Sequence, residues 1–215
     1  MNDTLELFCL TLGLVDTNAY ILGDSATGEA ILIDPVDEAD TLIGAAADAR
    51  LNIRLIVATH AHFDHVLASA ALKEKTGAPF IVHQEAAPLL RNVPQQGVRF
   101  FGTPFPPAAV PDQLITNDSE WIELGALRLQ PLYTPGHAPG HIALFLPSHR
   151  LLFSGDTLFA GTVGRWDLPG GNQQVLLASI TNKLLPLGDD VRVLPGHGEP
   201  TTIGIERREN PYLQW

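Results

Sequence analysis

The amino-acid sequence predicts a protein of the α/β class, and two patterns support this prediction. Short apolar runs typical of β-strands recur along the chain, each bounded by Gly, Pro, Asp or Asn. Segments of helix length separate several of these runs, and strands interleaved with helices are the pattern of α/β proteins. Because the chain has 215 residues, of which 45% are hydrophobic and 17% charged, we expect one globular domain over residues 1–215.

The predicted elements follow one another along the chain. Strands are expected at 19–22, 30–33, 55–58, 80–82, 127–132, 142–146, 151–153 and 191–194. Helices are expected at 38–49, at 64–76 with Gly77 as a stop signal, and at 172–185 with Asn172 as a cap. Residues 92–112 hold five of the 17 prolines and three phenylalanines, so no regular element of that length is expected there. Long irregular segments are often functional, so this one is either a flap over a site or a structural cover for the core.

The charge of the chain excludes several kinds of partner. The formal net charge is −11 and the isoelectric point about 5.0, whereas binding to nucleic acid or to an anionic membrane requires a basic surface. No apolar stretch approaches the roughly 20 residues that a membrane-spanning helix needs. We therefore expect neither a nucleic-acid nor a membrane partner. Part of the acidity is suited to binding cations.

Cys9 is the single cysteine of the sequence, so an internal disulfide and a thiolate zinc cluster are both excluded. The chain begins MNDTLELF, with acidic residues where a secretory signal would be basic. These features predict a cytoplasmic protein. Because Cys9 lies in the apolar segment 5–10, we expect it to be a small buried hydrophobic residue.

The run THAHFDH at residues 59–65 is the strongest functional signal. It places His60, His62, Asp64 and His65 directly after the strand-like run 55–58. Imidazole and carboxylate groups are common ligands of zinc and similar divalent ions, and a packed core would have to satisfy all of these polar atoms internally. The run therefore indicates half of a metal site rather than a solvated, His-rich turn.

Three further polar residues follow apolar runs in the same way. They are His137 in YTPGH, Asp156 in FSGD and His197 in LPGH, each preceded by a glycine that permits a sharp turn. Ligand sites of helix-covered sheets gather at the carboxyl ends of strands, so residues distant in sequence can converge there.

The resulting seven candidate ligands exceed the four or five that one zinc ion accepts. Either two ions share them, or some of the seven do not bind metal and instead hydrogen-bond to the residues that do. We favour two divalent ions. Zinc is the preferred metal, with iron or manganese as alternatives, because sites of His and Asp accept all three. A carboxylate such as Asp156 can bridge two ions, and a water between them becomes a nucleophile near neutral pH. The chemistry indicated is hydrolysis of a carbonyl without a Ser or Cys nucleophile.

The motifs THAHFDH, TPGHAPGH, FSGD and LPGH resemble those of the metallo-β-lactamase superfamily over nearly the whole chain. Within it, GTVGRWDLPGGN at 161–172 and the ending ERRENPYLQW resemble the single-domain hydrolases similar to glyoxalase II, or hydroxyacylglutathione hydrolase. The resemblance implies an αββα sandwich, in which two mixed β-sheets are flanked by helices. It also implies a binuclear site along one sheet edge.

By this resemblance, each ligand has a role. His60, His62 and His137 would hold the first metal, Asp64, His65 and His197 would hold the second, and Asp156 would bridge them. The implied reaction is attack of a bridging hydroxide on a thioester carbonyl, with Asp64 as a catalytic residue that orients the hydroxide or carries its proton. The expected substrate is a small-molecule thioester, S-2-hydroxyacylglutathione such as S-lactoylglutathione, which yields a 2-hydroxy acid and glutathione.

One departure from that subgroup affects the substrate. Full-length glyoxalase II enzymes carry a C-terminal helical domain that contributes to glutathione binding, whereas this sequence continues for 18 residues beyond His197. We expect a single domain without that helical part, which leaves room for a smaller or different thioester. The alternatives are a mononuclear-iron persulfide dioxygenase acting on glutathione persulfide, a lactonase, and a non-enzymatic binding module stabilised by metal. The sequence carries no signal for oligomeric state.

Several other polar residues have two interpretations. His141 is either a structural hydrogen-bonding residue or a support for a ligand, and Asp34 either accepts a hydrogen bond from a ligand imidazole or caps a turn. Arg165 either pairs with Asp167 or meets a substrate carboxylate. His83 is expected to pack or to cap a helix.

Overall fold

Two six-stranded β-sheets pack face to face in the computed structural model, which describes residues 4–214. In the first sheet the strands lie side by side in chain order. They are β1 (Leu5–Leu12), β2 (Thr17–Asp24), β3 (Glu29–Ile33), β4 (Asn52–Val57), β5 (Phe80–His83) and β6 (Gln113–Ile115). The pairs among β1, β2 and β3 are antiparallel, and those among β3, β4, β5 and β6 are parallel, so this sheet is mixed.

The second sheet is built from the C-terminal half of the chain. Its strands are β7 (Ile122–Leu124), β8 (Leu127–Tyr133), β9 (Ile142–Leu146), β10 (Leu151–Gly155), β13 (Arg192–Pro195) and β14 (Thr201–Thr202). Between β10 and β13, the strands β11 (Leu158–Phe159) and β12 (Thr162–Val163) form a separate two-stranded hairpin. The order in the sheet is β14-β13-β10-β9-β8-β7, with β10 and β13 parallel and the other pairs antiparallel. Strands β8, β10 and β13 therefore run in one direction and end at one edge.

Helices cover the outer face of each sheet. They are α1 (Ala39–Asp48), α2 (Ser69–Thr76), α3 (Ala87–Arg91), α4 (Val93–Phe101), α5 (Gln173–Ser179) and α6 (Ile203–Glu209). Helices α1, α2, α3 and α4 supply residues to the core outside the first sheet, and α5 and α6 supply residues to the core outside the second sheet. The predicted αββα sandwich of two mixed sheets is confirmed.

The alternation of side chains along the strands explains the layers. In β3, Ala30 and Leu32 pack with the helices, while Ile31 and Ile33 pack against the second sheet. Successive residues of a strand point to opposite faces, so a strand covered on both sides is apolar throughout. All four of these side chains are fully buried.

All eight predicted strands are present, most of them longer than predicted. The helix predicted at 38–49 is α1. The helix predicted at 172–185 begins as α5, where the Asn172 side chain accepts a hydrogen bond from Val175 N at 3.1 Å, and continues as a π-helical turn, Ile180–Leu184. The helix predicted at 64–76 is divided into a 3₁₀ turn, Phe63–His65, and α2, which ends at Gly77 with φ of 69°.

The structure corrects one expectation from the sequence, that for Cys9. As expected, no regular element spans residues 92–112, although α4 occupies nine of them. Pro94 lies in its first turn, where the missing N–H has no intrahelical partner to lose. Cys9 is exposed rather than buried, since β1 is the edge strand of the first sheet. The ends of the predicted domain, residues 1–3 and 215, lie outside the described residues.

None of the helices in the described range 4–214 combines the length and apolar character that crossing a bilayer requires.

Candidate metal centre

Four segments bring the seven candidate ligands to one end of the sandwich. His60, His62, Asp64 and His65 lie in the loop and 3₁₀ turn that follow β4. The other three follow strands of the second sheet: His137 comes after β8, Asp156 after β10 and His197 after β13. The loop after β13 is joined to the first sheet, because Asn18 N in β2 donates to Gly196 O at 2.7 Å.

Three imidazoles form the first group of the site. Nε2 of His60 lies 3.0 Å from Nδ1 of His62, which in turn lies 2.9 Å from Nε2 of His137. All three rings are buried. Burial lowers the pKa of each ring, to about 3 for His62 and well below the usual value for His60, so the rings are neutral. Neutral imidazole nitrogens turned toward one another are suited to ligate a cation.

Two imidazoles and a carboxylate form the second group. Oδ2 of Asp64 lies 3.2 Å from Nε2 of His197 and 3.3 Å from Nε2 of His65. Asp156 lies between the two groups. Its Oδ1 is 3.4 Å from Nε2 of His65, and its Oδ2 is 3.5 Å from Nε2 of His137 and 3.6 Å from Nε2 of His197.

The buried polar atoms of this cluster test whether cations fit here. Among the described residues, Nε2 of His65 and Oδ1 of Asp156 are buried without a hydrogen-bond partner. An unpaired buried polar atom costs about 1–3 kcal/mol, so such atoms are rare unless another group binds them. His65 and Asp156 both belong to groups of three candidate ligands whose donor atoms lie within 4.8 Å of one another. The residues therefore fit metal binding.

The charge of the cluster leads to the same conclusion. Burial opposes ionisation of Asp64 and Asp156, but the neighbouring imidazoles, His65 foremost, hold the pKa of both carboxyl groups below the usual range. Burial also disfavours a charged His65, yet Asp64, Asp156 and Asp34 together raise its pKa well above 6.5. Three carboxylates around one buried ring attract positive charge, which a proton supplies in the protein alone and a metal ion can supply instead.

Asp34 has the first of the two roles considered for it, since it accepts a hydrogen bond from a candidate ligand imidazole. Its Oδ2 accepts from Nδ1 of His65 at 2.9 Å, which leaves Nε2 of that ring turned to the site. Its Oδ1 accepts from Thr59 N at 2.6 Å and therefore also fixes the start of the ligand loop. Asp34 is held in the left-handed region at φ of 56°, a conformation that costs energy in a residue other than glycine.

His141 holds the segment around Asp156. Its Nε2 accepts from Asp156 N at 3.0 Å, and its Nδ1 lies 2.9 Å from Oγ1 of Thr134. The ring is fully buried and is not one of the grouped candidate ligands. His141 is therefore a structural hydrogen-bonding residue and, because its partner Asp156 is a candidate ligand, also a support for a ligand.

The loop after β12 supports a ligand and contributes a guanidinium. Nδ1 of His137 donates to the carbonyl oxygen of Arg165 at 2.8 Å. The Arg165 side chain forms the predicted ion pair, with two hydrogen bonds to Asp167 at 2.8 and 2.9 Å. Outside the site, His83 has its predicted capping role, because its Nδ1 accepts from Glu85 N at 3.3 Å.

Two supporting residues were not identified from the sequence. Oγ1 of Thr17 donates to Oδ2 of Asp64 at 2.9 Å. The buried Gln96 accepts from Phe63 N at 2.9 Å and donates to Ala61 O at 3.0 Å, on either side of His62. Neither residue belongs to a local motif, since each acts on a loop 33 to 47 positions away in sequence.

A cavity of about 410 Å³ opens at the metal centre. One wall is aromatic, built from Phe63 and from Phe100 and Phe101 of α4. Val15 and Leu168 add aliphatic surface, and Arg165 also lines the cavity. The segment 92–112 thus contributes to a wall of the site, which was one role considered for it. Its Val93 and Ala109 are part of the core, so the segment also covers the core, which was the other.

The sequence matches the metallo-beta-lactamase superfamily over residues 12–197. The chain belongs to this superfamily. It is 39% identical over 197 residues to hydroxyacylglutathione hydrolase GloC of Haemophilus influenzae, covering 91% of this chain and 92% of that protein. Among solved structures it is similar to BLEG-1 B3 metallo-beta-lactamase, with a TM-score of 0.92 and 37% identity over 98% of this chain and 100% of the other. It is also similar to TTHA1623 in a di-iron-bound form, with a TM-score of 0.86 and 39% identity over 96% of this chain and 100% of the other.

These relationships confirm the superfamily that the motifs predicted. The chain is a metal-dependent hydrolase, in agreement with the His and Asp groups described above.

Proposed function

We propose that the protein hydrolyses thioesters with two divalent metal ions, and that its substrate is an S-2-hydroxyacylglutathione such as S-lactoylglutathione. The observation that carries the proposal is the position of Asp156 between two ligand groups, where it lines a cavity. The similarity to hydroxyacylglutathione hydrolase GloC supports the thioester.

In this proposal each metal has its own set of ligands. His60, His62 and His137 would hold one ion, and Asp64, His65 and His197 the other, with Asp156 shared between them. The donor atoms suit zinc, iron and manganese, because selectivity among these depends on geometry and supply. We expect zinc, and the similarity to TTHA1623, described in a di-iron-bound form, makes iron the first alternative to test.

Bound metal would supply a water of lowered pKa and positive charge beside the carbonyl oxygen. The residues of the chain do the rest. Asp34, His141 and the carbonyl of Arg165 fix the orientation of His65, of the Asp156 backbone and of His137, so the site needs little rearrangement during the reaction. The aromatic wall excludes water from the thioester side of the cavity.

Asp64 has the catalytic role in this proposal. Its pKa is lowered, chiefly by His65 against the effect of burial, so the carboxylate is ionised and accepts hydrogen bonds. Thr17 already donates to its Oδ2. An ionised carboxylate held in this way is better suited to orient the attacking water than to store its proton.

The decisive experiment combines elemental analysis of the purified protein with an assay of S-lactoylglutathione hydrolysis before and after chelation. We expect about two metal ions per chain, as in binuclear hydrolases, and loss of turnover that returns when metal is restored. Asp156→Ala should lose metal and turnover while keeping the fold. Asp167→Ala, which removes an exposed carboxylate paired with Arg165, is the matched control and should retain its metal. Undiminished thioester cleavage by the metal-free protein would overturn the proposal.

The same preparation tests the other substrates. Glutathione persulfide with measurement of oxygen uptake, a lactone and a β-lactam are compared with S-lactoylglutathione at equal enzyme concentration. Preferred turnover of any of these would replace the thioester assignment. We also propose a cytoplasmic location, which the lack of a second cysteine for a disulfide supports.

A further inference from the structure

A second, smaller cavity of about 70 Å³ adjoins the metal centre. It shares His62, Phe100 and Leu168 with the larger cavity, so the two are continuous along one wall. Arg99, at the end of α4, lines the smaller cavity and not the larger one. A ligand whose reacting group lies at the metal centre can therefore extend toward Arg99.

Helix α4 holds Arg99 in a fixed relation to the metal ligands. Gln96, on the same helix, is hydrogen-bonded to Ala61 and Phe63 of the ligand loop. Residues three and four positions apart lie on the same face of a helix, so Arg99 and Phe100 follow Gln96 on the face turned to the site. The guanidinium lies over the Phe100 ring, 5.6 Å from its centroid, which further restricts its position.

Arg99 is the guanidinium that remains able to bind an anion here. Of the two guanidiniums that line these cavities, Arg165 is already held by both carboxylate oxygens of Asp167. Arg99 is exposed and has no carboxylate partner among residues 4–214. In a protein of net charge −11, an unpaired cation beside the active site provides a local attraction for an anionic substrate that the rest of the surface does not.

The remaining polar lining of the smaller cavity suits the same ligand. Asn92 and Gln95 are exposed, and their side-chain amides make no hydrogen bond within the described part of the chain. A planar guanidinium binds a carboxylate through two parallel hydrogen bonds, and amide N–H groups can bind its remaining lone pairs. The neighbouring Phe100 offers apolar surface to the part of the ligand between the carboxylate and the metal centre.

We propose that Arg99, with Asn92 and Gln95, forms a carboxylate-binding subsite that selects thioesters of acidic, peptide-like thiols. The inference rests on the proposed thioester hydrolysis and specifies how such a substrate is recognised. Arg99 determines specificity and does not touch the reacting atoms, so its contribution is to substrate binding and not to the chemical step.

The test compares Arg99→Gln with Arg192→Gln, which removes another exposed arginine that lines neither cavity. Two substrates are used, S-lactoylglutathione and the uncharged thioester S-lactoyl-N-acetylcysteamine. For Arg99→Gln, we expect the KM for the glutathione ester to rise about tenfold, as for loss of one charge-assisted contact, with kcat nearly unchanged. The KM for the uncharged ester should not change. Arg192→Gln should behave like the wild type toward both esters.

Binding is measured separately from turnover, by titration calorimetry of the metal-loaded protein with S-hexylglutathione, a thioether that cannot be hydrolysed. Arg99→Gln should bind it about tenfold more weakly than wild type, and Arg99→Lys, which keeps the charge but not the paired donors, should lie between them. If the wild type binds this thioether through Arg99 but cleaves no thioester, the subsite stands and the proposed hydrolysis fails. If the wild type cleaves both esters and Arg99→Gln changes neither KM nor binding, the subsite is overturned while hydrolysis stands.

Discussion

Single hydrogen bonds from neighbouring residues determine the orientation of several candidate ligands. His65 is oriented by Asp34, His137 by a backbone carbonyl, and Asp156 by His141. Such partners fix which ring nitrogen faces the metal and restrict its rotation. Changes to these partners, which touch neither metal nor substrate, should therefore affect the affinity of the site for metal.

Gly196 provides a steric test of this organisation. A Cβ atom at this position would lie 2.3 Å from Oδ1 of Asp156 and 2.7 Å from Cε1 of His65. Gly196→Ala should therefore displace two candidate ligands at once and lower metal content and thioester turnover at least tenfold. Gly44→Ala is the matched control, because nothing lies within 4 Å of a Cβ there. It should leave metal content unchanged and raise stability by about 0.5–1 kcal/mol, since glycine is unfavourable inside a helix. Full metal occupancy in Gly196→Ala would show that Asp156 and His65 can make room for the added methyl group and still bind metal.

His141 allows a test of hydrogen bonding rather than of space. His141→Leu leaves Asp156 N buried without an acceptor, and we expect metal affinity to fall about 10–100-fold, as for loss of a partner that supports a ligand. His141→Gln keeps an acceptor and should restore part of the affinity. Metal affinities are measured by competition with a chromogenic chelator. Equal affinities for the leucine and glutamine variants would assign His141 a packing role alone.

The candidate ligands could be found in the sequence, whereas most of their supports could not. His60, His62, Asp64 and His65 are adjacent in the chain, and the other three each follow an apolar run and a glycine. Thr17 and Gln96 carry no such pattern. They reach the ligand loop through the packing of β2 and α4, which depends on the whole fold.

At the scale of elements, buried strands were the most predictable part of the fold. A strand covered on both faces is a continuous apolar run, and the eight such runs are all strands. Edge and surface elements were missed because they lack that pattern. Strand β1 is partly exposed, and α4 has a proline as its second residue and carries the exposed Phe100 and Phe101. Helix α4 is nevertheless the element that lines both cavities at the metal centre.

Gln96 connects α4 to the ligand loop, and its removal tests that connection. Gln96→Leu leaves Phe63 N and Ala61 O without their partner in a buried position, so we expect a loss of about 1–3 kcal/mol in the free energy of unfolding. Gln95→Leu changes the neighbouring exposed amide of the same helix and should alter stability by less than about 0.5 kcal/mol. Urea denaturation midpoints give both values. Equal midpoints for the two variants would mean that α4 is held by its apolar contacts alone.

For the whole molecule, the metal centre joins the two sheets. The loop after β4 in the first sheet supplies four candidate ligands, and strands β8, β10 and β13 of the second supply three. Direct contacts also join the sheets at this end, such as the hydrogen bonds from Asn18 and Tyr20 to Pro195 O, at 3.0 and 2.7 Å. The convergence itself was predictable, since carboxyl ends of strands gather at one edge. The distances between side chains in two different sheets were not, because they depend on how the sheets pack.

Removing metal should therefore destabilise the whole sandwich and not only abolish activity. Ions held at about 1,000 times their dissociation constant stabilise the folded state by about 4 kcal/mol per site, and a domain of this size changes its Tm by about 2–4 °C per kcal/mol. For two sites, we expect chelation to lower the Tm by roughly 16–32 °C, measured by calorimetry, and restored metal to reverse the change. In Asp156→Ala the Tm should be low from the outset and insensitive to chelator, while Asp167→Ala should respond like the wild type. If chelation removed all metal and activity but left the Tm unchanged, protein contacts alone would hold the two sheets together at this end. The proton of His65 would then balance the three carboxylates around it as well as a metal ion does.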